Sequence, residues 1–588
     1  MTDLATRLHN LSPEKRLLLE RLIKRQAGTE PAPTWYQALD HEVLREPYDV
    51  VILGGGLAGS SLALQLVKAC PRARILVAER RAYPLPEAAH KVGESTVELG
   101  AQYFGEVIGM KRHLQADQLL KLGLRFFFPA AANRDIARRV EVGAFASNSL
   151  PLPSYQIDRG RFENAMALES LNVGVTFLTA CHVQAVEMDA HGHRVMLRRD
   201  GTALTVRARW VVDASGRTGF LKRRLGLAQR VTHEAHAVWL RVGERIDLES
   251  WSQDVGWRQR MYPGFRQLST NHLMGRGYWV WLIPLASNAT SVGIVVDAAL
   301  HPLNRINRWD RALDWLREHE PQFADIIAQK QHLILDFRTQ KHYAHGCRQV
   351  MSTERWCITG EAGVFTDPFY SPGSDFIAMS NTLITGLIQR DLAGEGIDRH
   401  VEFFNWFYLD FMFASSLKVF QYQYPLFGNA LVMTAKIIWD FTIYWGVIAL
   451  LFFQNALADL DFMMSIKAEL LCFRKLQDRV QAFFREWDEQ CEPQQWSDTY
   501  VDFTQIDFLY QLLDDMQAAL SPEQLRAQLA ENIRLLDVVA GEMFRKAFGR
   551  DPVASDDLHS GMEPGATCVD IAADFQAFWL EPTIDMAS

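Results

Sequence analysis

The 588-residue chain has no CxxC pair, no cluster of metal-ligating side chains, no internal repeat and no low-complexity tract. Its seven cysteines (Cys70, Cys181, Cys347, Cys357, Cys472, Cys491 and Cys568) are scattered and odd in number. That argues against a disulfide framework or a metal centre and for a reducing, cytoplasmic setting. Acidic and basic residues are interspersed around a net charge of -9, so there is no basic stripe and nucleic acid is excluded as a partner. The opening MTDLATRLHNL carries Asp3 and Arg7 and no long apolar run, and does not read as a signal peptide. A long uncharged apolar run is missing too. In ALVMTAKIIWDFTIYWGVIALLFFQNALADLDFMM, Lys436 and Asp440 leave only Phe441 to Phe453, thirteen residues. A bilayer needs about 20. A buried helix lining a substrate channel is expected there, with shallow, non-spanning membrane contact as the second reading.

What is present begins with a 48% apolar composition, enough for a large core and more than one packing unit. LSPEKRLLLERLIKRQAG predicts a helix, with Ser12 as N-cap, Pro13 at the first position and Gly28 as stop. The Pro-containing TEPAPTW that follows is read as linker, so residues 1–46 form an N-terminal helix and linker. From Tyr48, YDVVILGGGLAGSSLALQLVKACPRARILVAER reads as strand, glycine turn, helix and second strand. Gly54, Gly56 and Gly59 give GxGxxG directly after the first strand, and Glu79 closes the second, 20 residues beyond Gly59. Glycines there let backbone approach a pyrophosphate at a helix N-terminus, while the carboxylate can hold a ribose hydroxyl. No second such fingerprint for NADPH is present. HAVWLRVG and GYWVWLIPLASNATSVGIVVD alternate as strands of an antiparallel sheet, placed at about 226–345. After about residue 395 the chain turns helical and aromatic, giving a core over 47–395 and a helical region over 396–588 whose tail, from about Asp551, is loop-like.

SYQIDRGRFE, WVVDASGRTG and WCITGEAGVFTDPF, in that order after the fingerprint, resemble the FAD-dependent monooxygenase-like fold: α/β, a Rossmann-type FAD domain with an inserted antiparallel substrate sheet, here with a C-terminal helical region. Within that fold the chain resembles the flavin-dependent halogenases. WxWxIP stands as Trp279, Trp281, Ile283 and Pro284, FxxPxxSxG as Phe365, Pro368, Ser371 and Gly373, and KxGxxF as Lys121, Gly123 and Phe126. The likeness runs from about Tyr48 to about Arg390. It implies that the tryptophan motif bars substrate from the flavin, that Ser371 and Gly373 bind halide, and that Lys121 relays the halogen. It also implies FAD contacts from Gly93, Glu94 and Ser95 of HKVGEST, and from Arg159, Asp213, Gly360 and Glu361. Glu361 stands where relatives usually carry Asp, and Pro372 removes one backbone donor from the halide loop.

Lys121 is set in QLLKLGLRFFFP, among leucines and phenylalanines. An ammonium in such a setting snorkels to water, shifts its pKa or does chemistry. Lys91 is the competing lysine, read as structural or flavin-side. Tryptophan halogenases carry a glutamate just before the loop serine, where this chain has Tyr370. The resemblance therefore favours phenol or pyrrole substrates, free or carrier-tethered, over free tryptophan. The expectation is a halogenase using reduced FAD, oxygen and chloride or bromide, with a separate flavin reductase as partner. The alternatives are an FAD-dependent aromatic hydroxylase, or a non-catalytic flavin-binding scaffold that docks carrier proteins through its N-terminal helix, which resembles the docking helices of carrier-protein assembly lines.

Overall fold

The computed structural model describes residues 46–87, 91–143, 152–189, 192–491 and 499–551. The N-terminal helix and linker expected before Glu46, and the tail expected from about Asp551, lie outside the described residues.

YDVVIL forms the central strand Tyr48–Leu53, its apolar run covered on both faces as parallel strands require. It pairs parallel with Ile75–Ala78 on one side and with Thr202–Asp213 on the other. Thr202–Asp213 has two roles. Its first half, to Ala208, is a hairpin arm against His193–Arg199, and its second half continues parallel to Tyr48–Leu53 and Trp356–Ile358. Gly54, Ala214 and Gly360 are thereby gathered just beyond the carboxyl ends of three parallel strands, where open α/β sheets bind their ligands.

A second sheet of eight strands runs in the order Ile334–Lys341, Ala235–Val242, Thr290–Asp297, Tyr278–Pro284, Thr270–Gly275, Leu124–Phe127, Glu141–Gly143, Tyr500–Asp502. All seven residues of Tyr278–Pro284 are buried. Trp281 lies opposite Gly293, where an added Cβ would come within 2.1 Å of the indole, so the bulk of one strand is accommodated by the emptiness of its neighbour. The region expected at about 226–345 supplies the first five of these strands. The remaining three come from 124–143 and 500–502. They are only three or four residues long, too short to show an alternating pattern in sequence. The last of them stitches the C-terminal helical region into the core.

In that region Ala430–Phe453 is one continuous helical path of 24 residues, widening to i→i+5 hydrogen bonding over Tyr444–Ala449. It is long and apolar enough to cross a membrane by length and composition, and 83% of its most apolar stretch is buried inside the protein. Lys436 and Asp440, which shorten the uncharged run to thirteen residues in sequence, lie within this buried helix and satisfy each other. Lys436 Nζ sits 2.9 Å from Asp440 Oδ2 and 2.6 Å from Gln481 Oε1. The following long helix, Pro522–Phe548, is delimited by local chemistry: a Ser521/Gln524 capping box, Pro522 in its first turn, and Gly549 at φ 66° at its end.

The strands that carry Lys121 and its neighbours are pinned by a fully buried triad. Glu141 accepts from Arg125 at 2.7 Å and from Arg266 at 2.9 and 3.1 Å, with none of the three side chains exposed. Glu141→Leu strands two guanidiniums in the interior. It is expected to cost about 3–5 kcal/mol of stability, read by chemical denaturation, whereas a loss below about 1 kcal/mol would show that the arginines find other partners.

Candidate active site

The glycine turn after Tyr48–Leu53 is dictated by close approach. Gly54 has φ 112°, and a Cβ on it would stand 2.5 Å from the Ala214 carbonyl oxygen. Gly59 does not face the ligand space; a Cβ there would meet the Gly54 oxygen at 1.9 Å, so its role is to let the helix Leu57–Ala69 pack against the turn. Glu79 accepts from the Gly55 amide at 2.7 Å and the Arg81 amide at 2.8 Å, which fixes its carboxylate at the rim of a cavity of about 560 Å³. Gly54, Gly56, Gly93, Glu94, Ser95 and Arg159 line this cavity, as do Gly360 and Glu361. Glu94 is buried and paired with Arg241, and Arg159 and Lys91 share Glu163. Burial lowers the pKa of Lys91, which lines the same cavity. Asp213 does not line the cavity. Its two oxygens are taken by the amides of Ser215 at 2.9 Å and Leu221 at 2.7 Å, so it shapes the turn that does.

These residues fit FAD. A tight glycine turn presents a helix N-terminus to a pyrophosphate, a fixed carboxylate closes the neighbouring strand, and the same cavity continues to Trp279, Trp281 and Ile283. Pro284 is buried and lies off the cavity. The two indoles lie 5.6 Å apart, tilted by 45°, on one face of their strand. Trp279 donates to Tyr424 Oη at 3.0 Å and Trp281 to Ser291 Oγ at 3.1 Å, so neither ring is free to swing.

Across from them runs the loop FTDPFYSPG. Its Asp367 is fully buried and accepts from His233 at 2.6 Å, Tyr343 at 2.5 Å and Tyr424 at 2.7 Å, while its other oxygen takes the Phe369 amide at 2.9 Å. Because Tyr424 also holds Trp279, one carboxylate ties the loop to the tryptophan wall. Phe369 packs on Trp279 at 5.1 Å and on Tyr370 at 4.4 Å. Tyr370 and Ser371 both have left-handed backbones, φ 67° and 63°, a strained pair that delivers the chain to Gly373, the first residue of the 20-residue helix Gly373–Leu392. Of the two expected halide donors, Ser371 gives its amide to Pro368 O at 3.0 Å. The Gly373 amide opens a helix, where first-turn donors lack intrahelical partners and favour an anion.

Lys121 ends the short strand Leu119–Lys121 and is 1% exposed. Its Nζ donates to Thr96 O at 2.6 Å. Burial pulls its pKa down to about 8, although the carboxyls of Glu98 and Asp375 oppose the shift. Asp375 is pushed up to about 8, again by burial. Lys121 does not line the flavin cavity. Asp375 instead lines a second, largely apolar cavity of about 120 Å³, with Val97, Tyr370, Phe441 and Tyr444. The helix expected to line a substrate channel contributes Asp440, Phe441, Ile443, Tyr444 and Ile448 to the wall of this cavity. The stack Trp279–Phe369–Tyr370 thus runs from one cavity to the other. His272, stacked on Phe126 at 4.8 Å, lines the flavin cavity close enough to Lys121 for the two charges to interact, and burial brings its pKa down to about 3, so it is neutral.

Sequence reasoning passed over Glu98, Asp375, His272 and Asp367. Asp375 had a signal, but an acid in a first helical turn is ordinarily explained by the helix dipole. Asp367 lay inside a quoted motif without being singled out. His272 sits mid-strand, and only the register, opposite Trp281 and Phe126, gives it a role.

A family model described as an FAD binding domain matches residues 47–309. A flavin-dependent halogenase of Dictyostelium discoideum is 25% identical over 433 residues, covering 68% of this chain and 70% of that one. A pyrrole-2-carbonyl peptidyl-carrier-protein brominase of Pseudoalteromonas luteoviolacea is 24% identical, covering 65% and 87%. Among solved structures, a halogenase in complex with phloroglucinol and FAD superposes with a TM-score of 0.60 at 15% identity, over 82% of this chain and 98% of that one.

If Asp367 holds the loop to the wall, Asp367→Leu leaves three buried donors without their acceptor. Amide hydrogen exchange in 365–373 is expected to accelerate at least about tenfold, together with a stability loss of roughly 2–5 kcal/mol. Unchanged exchange in that segment would mean that the aromatic packing alone fixes the loop.

Proposed function

Because the chain belongs to the flavin-dependent halogenases, we propose that it halogenates an electron-rich aromatic compound held in the second cavity, with Lys121 passing the halogen across. The observation that carries this reading is a lysine, buried on Thr96 O and lining neither cavity, that lies close enough to Asp375 of the apolar one for their charges to interact. Reduced FAD, with oxygen and chloride or bromide, supplies hypohalous acid. The protein's own residues do the rest. Gly373 and the helix start hold halide beside the flavin cavity. Trp279 and Phe369 keep the aromatic ring away from the flavin. The neutral Lys121 amine attacks the halogen: the N–X bond forms as the O–X bond breaks, and the displaced hydroxide takes the nitrogen's proton as water. The ring carbon then takes the halogen and the N–X pair returns to nitrogen, while the ring proton passes to the Asp375 carboxylate and from it to that nitrogen, which restores the neutral amine. Apolar walls exclude water that would consume the oxidant.

A separate flavin reductase as partner and a carrier-tethered substrate belong to the same proposal. The second is supported by two relatives named for acting on pyrrole-carbonyl groups borne by a peptidyl carrier protein. A cavity of about 120 Å³ also supports one ring over the two of an indole.

Lys121→Ala is expected to leave flavin binding and the stopped-flow spectra of flavin reoxidation within about twofold of the parent while halogenated product disappears. Lys121→Arg is expected to fail equally, since a guanidinium is never neutral. Normal product from Lys121→Ala would end the relay.

The pH dependence has a definite sign. Below about 8 the lysine is an ammonium and Asp375 is protonated, so the single-turnover halogenation rate is expected to rise with pH through an apparent midpoint near 8. The Asp375 carboxylate stabilises the ammonium, so Asp375→Asn is expected to move the midpoint lower as well as slow the reaction. A midpoint that stays in place, or moves up, would remove Asp375 from the pair.

A further inference from the structure

The second cavity is apolar except for a few polar groups, and among the described residues two of their atoms have no protein partner: Ser415 Oγ and Gln477 Nε2. Gln477 is 1% exposed, and its amide orientation is settled by chemistry. Its Oε1 accepts from Trp439 Nε1 at 2.6 Å, and an indole N–H can only donate, so the nitrogen with its two hydrogens is the unsatisfied end. Ser415 is 8% exposed. Other buried helical hydroxyls in this chain return to a carbonyl one turn back, Ser61 to Leu57 at 2.6 Å and Ser170 to Met166 at 2.8 Å among them. Ser415 follows the wide-pitched segment Trp406–Phe413 and does not. Leaving such buried groups unpaired carries their full desolvation penalty. A lining with spare donors is matched by a ligand that brings an acceptor. No cationic side chain lines the same space among the described residues, so an anionic acceptor would enter a dry cavity without a counter-charge and a neutral one is favoured. The volume, about 120 Å³, is that of a chamber for one benzene-sized ring.

Resting on the reading of this cavity as the substrate chamber, we propose that the substrate is a single-ring phenol bearing a neutral carbonyl group, a ketone or thioester, whose oxygen is held by Gln477 Nε2 and the Ser415 hydroxyl while the phenol hydroxyl donates to Asp375. The carbonyl contacts come from the helices Ala414–Phe420 and Lys467–Gln490, and the phenol contact comes from the helix that starts at Gly373. The two anchors lie on different elements, so substrate choice and chemistry are separable by mutation.

The test is calorimetric titration of the FAD-loaded, oxidised protein with three probes: 4-hydroxyacetophenone, 4-ethylphenol, which matches it in size without the carbonyl, and 4-hydroxybenzoate, which carries an anionic one. The ketone is expected to bind about tenfold tighter than either of the others. Gln477→Leu and Ser415→Ala are each expected to weaken the ketone roughly five- to tenfold and to leave 4-ethylphenol within about twofold. Ser415→Ala disturbs no existing hydrogen bond, so it stands as the cleaner variant should Gln477→Leu lower stability through Trp439. Equal affinity for ketone and ethylphenol, or variants that weaken both alike, would overturn the inference. Because titration needs no turnover, selective ketone binding in a protein that halogenates nothing would uphold the anchors and defeat the reaction, whereas halogenation with no selectivity would defeat the anchors alone.

Discussion

One buried carboxylate sets the distance between the two halves of this site. Asp367 gathers His233, Tyr343 and Tyr424 from three separate segments and holds the Phe369 amide on its other oxygen. Through Tyr424 it reaches Trp279, and through its own backbone it carries Phe369, Tyr370 and Ser371. A fully satisfied buried network of this kind rigidifies what it touches. The strained left-handed pair Tyr370–Ser371 persists because both its sides are held, by the Asp367 network before it and by the long helix after it.

The partition has an electrostatic consequence. Lys121 and Asp375 are each buried deeply enough, and close enough for their charges to interact, that burial brings both groups to about 8 from opposite directions. Desolvation dominates each shift, which is why an amine and a carboxylic acid with unperturbed pKa values more than six units apart become matched for proton exchange near neutral pH. His272, neutral on the flavin side, adds no positive charge that would repel a lysine ammonium. The chemistry proposed here depends on that dryness, and the dryness depends on aromatic packing around Phe369.

Much of the flavin half was legible in the sequence, because its signals are local: a strand, three glycines at fixed spacing and an acid at the end of the next strand. The tryptophan wall was legible for the same reason, two residues apart on one strand face. What the linear pattern could not supply was long-range pairing. The second sheet borrows three short strands from outside its own segment, and Lys436 with Asp440, which looked like an interruption of an apolar run, is a self-compensating pair within it. The second cavity is assembled from the residues around Val97, from the loop and helix at 370–379 and from three C-terminal helices, so none of its polar anchors could be recognised before folding brought them together.

The central claim is that the oxidant leaving the flavin cavity reaches the ring as halogen and not as oxygen. Mass spectrometry of the products from one-ring phenols, free and carrier-bound, supplied with reduced FAD, oxygen and bromide, tests it most directly. The account predicts products bearing the bromine isotope doublet, formed only when bromide is present. Products gaining a single oxygen atom, with or without bromide, would contradict it.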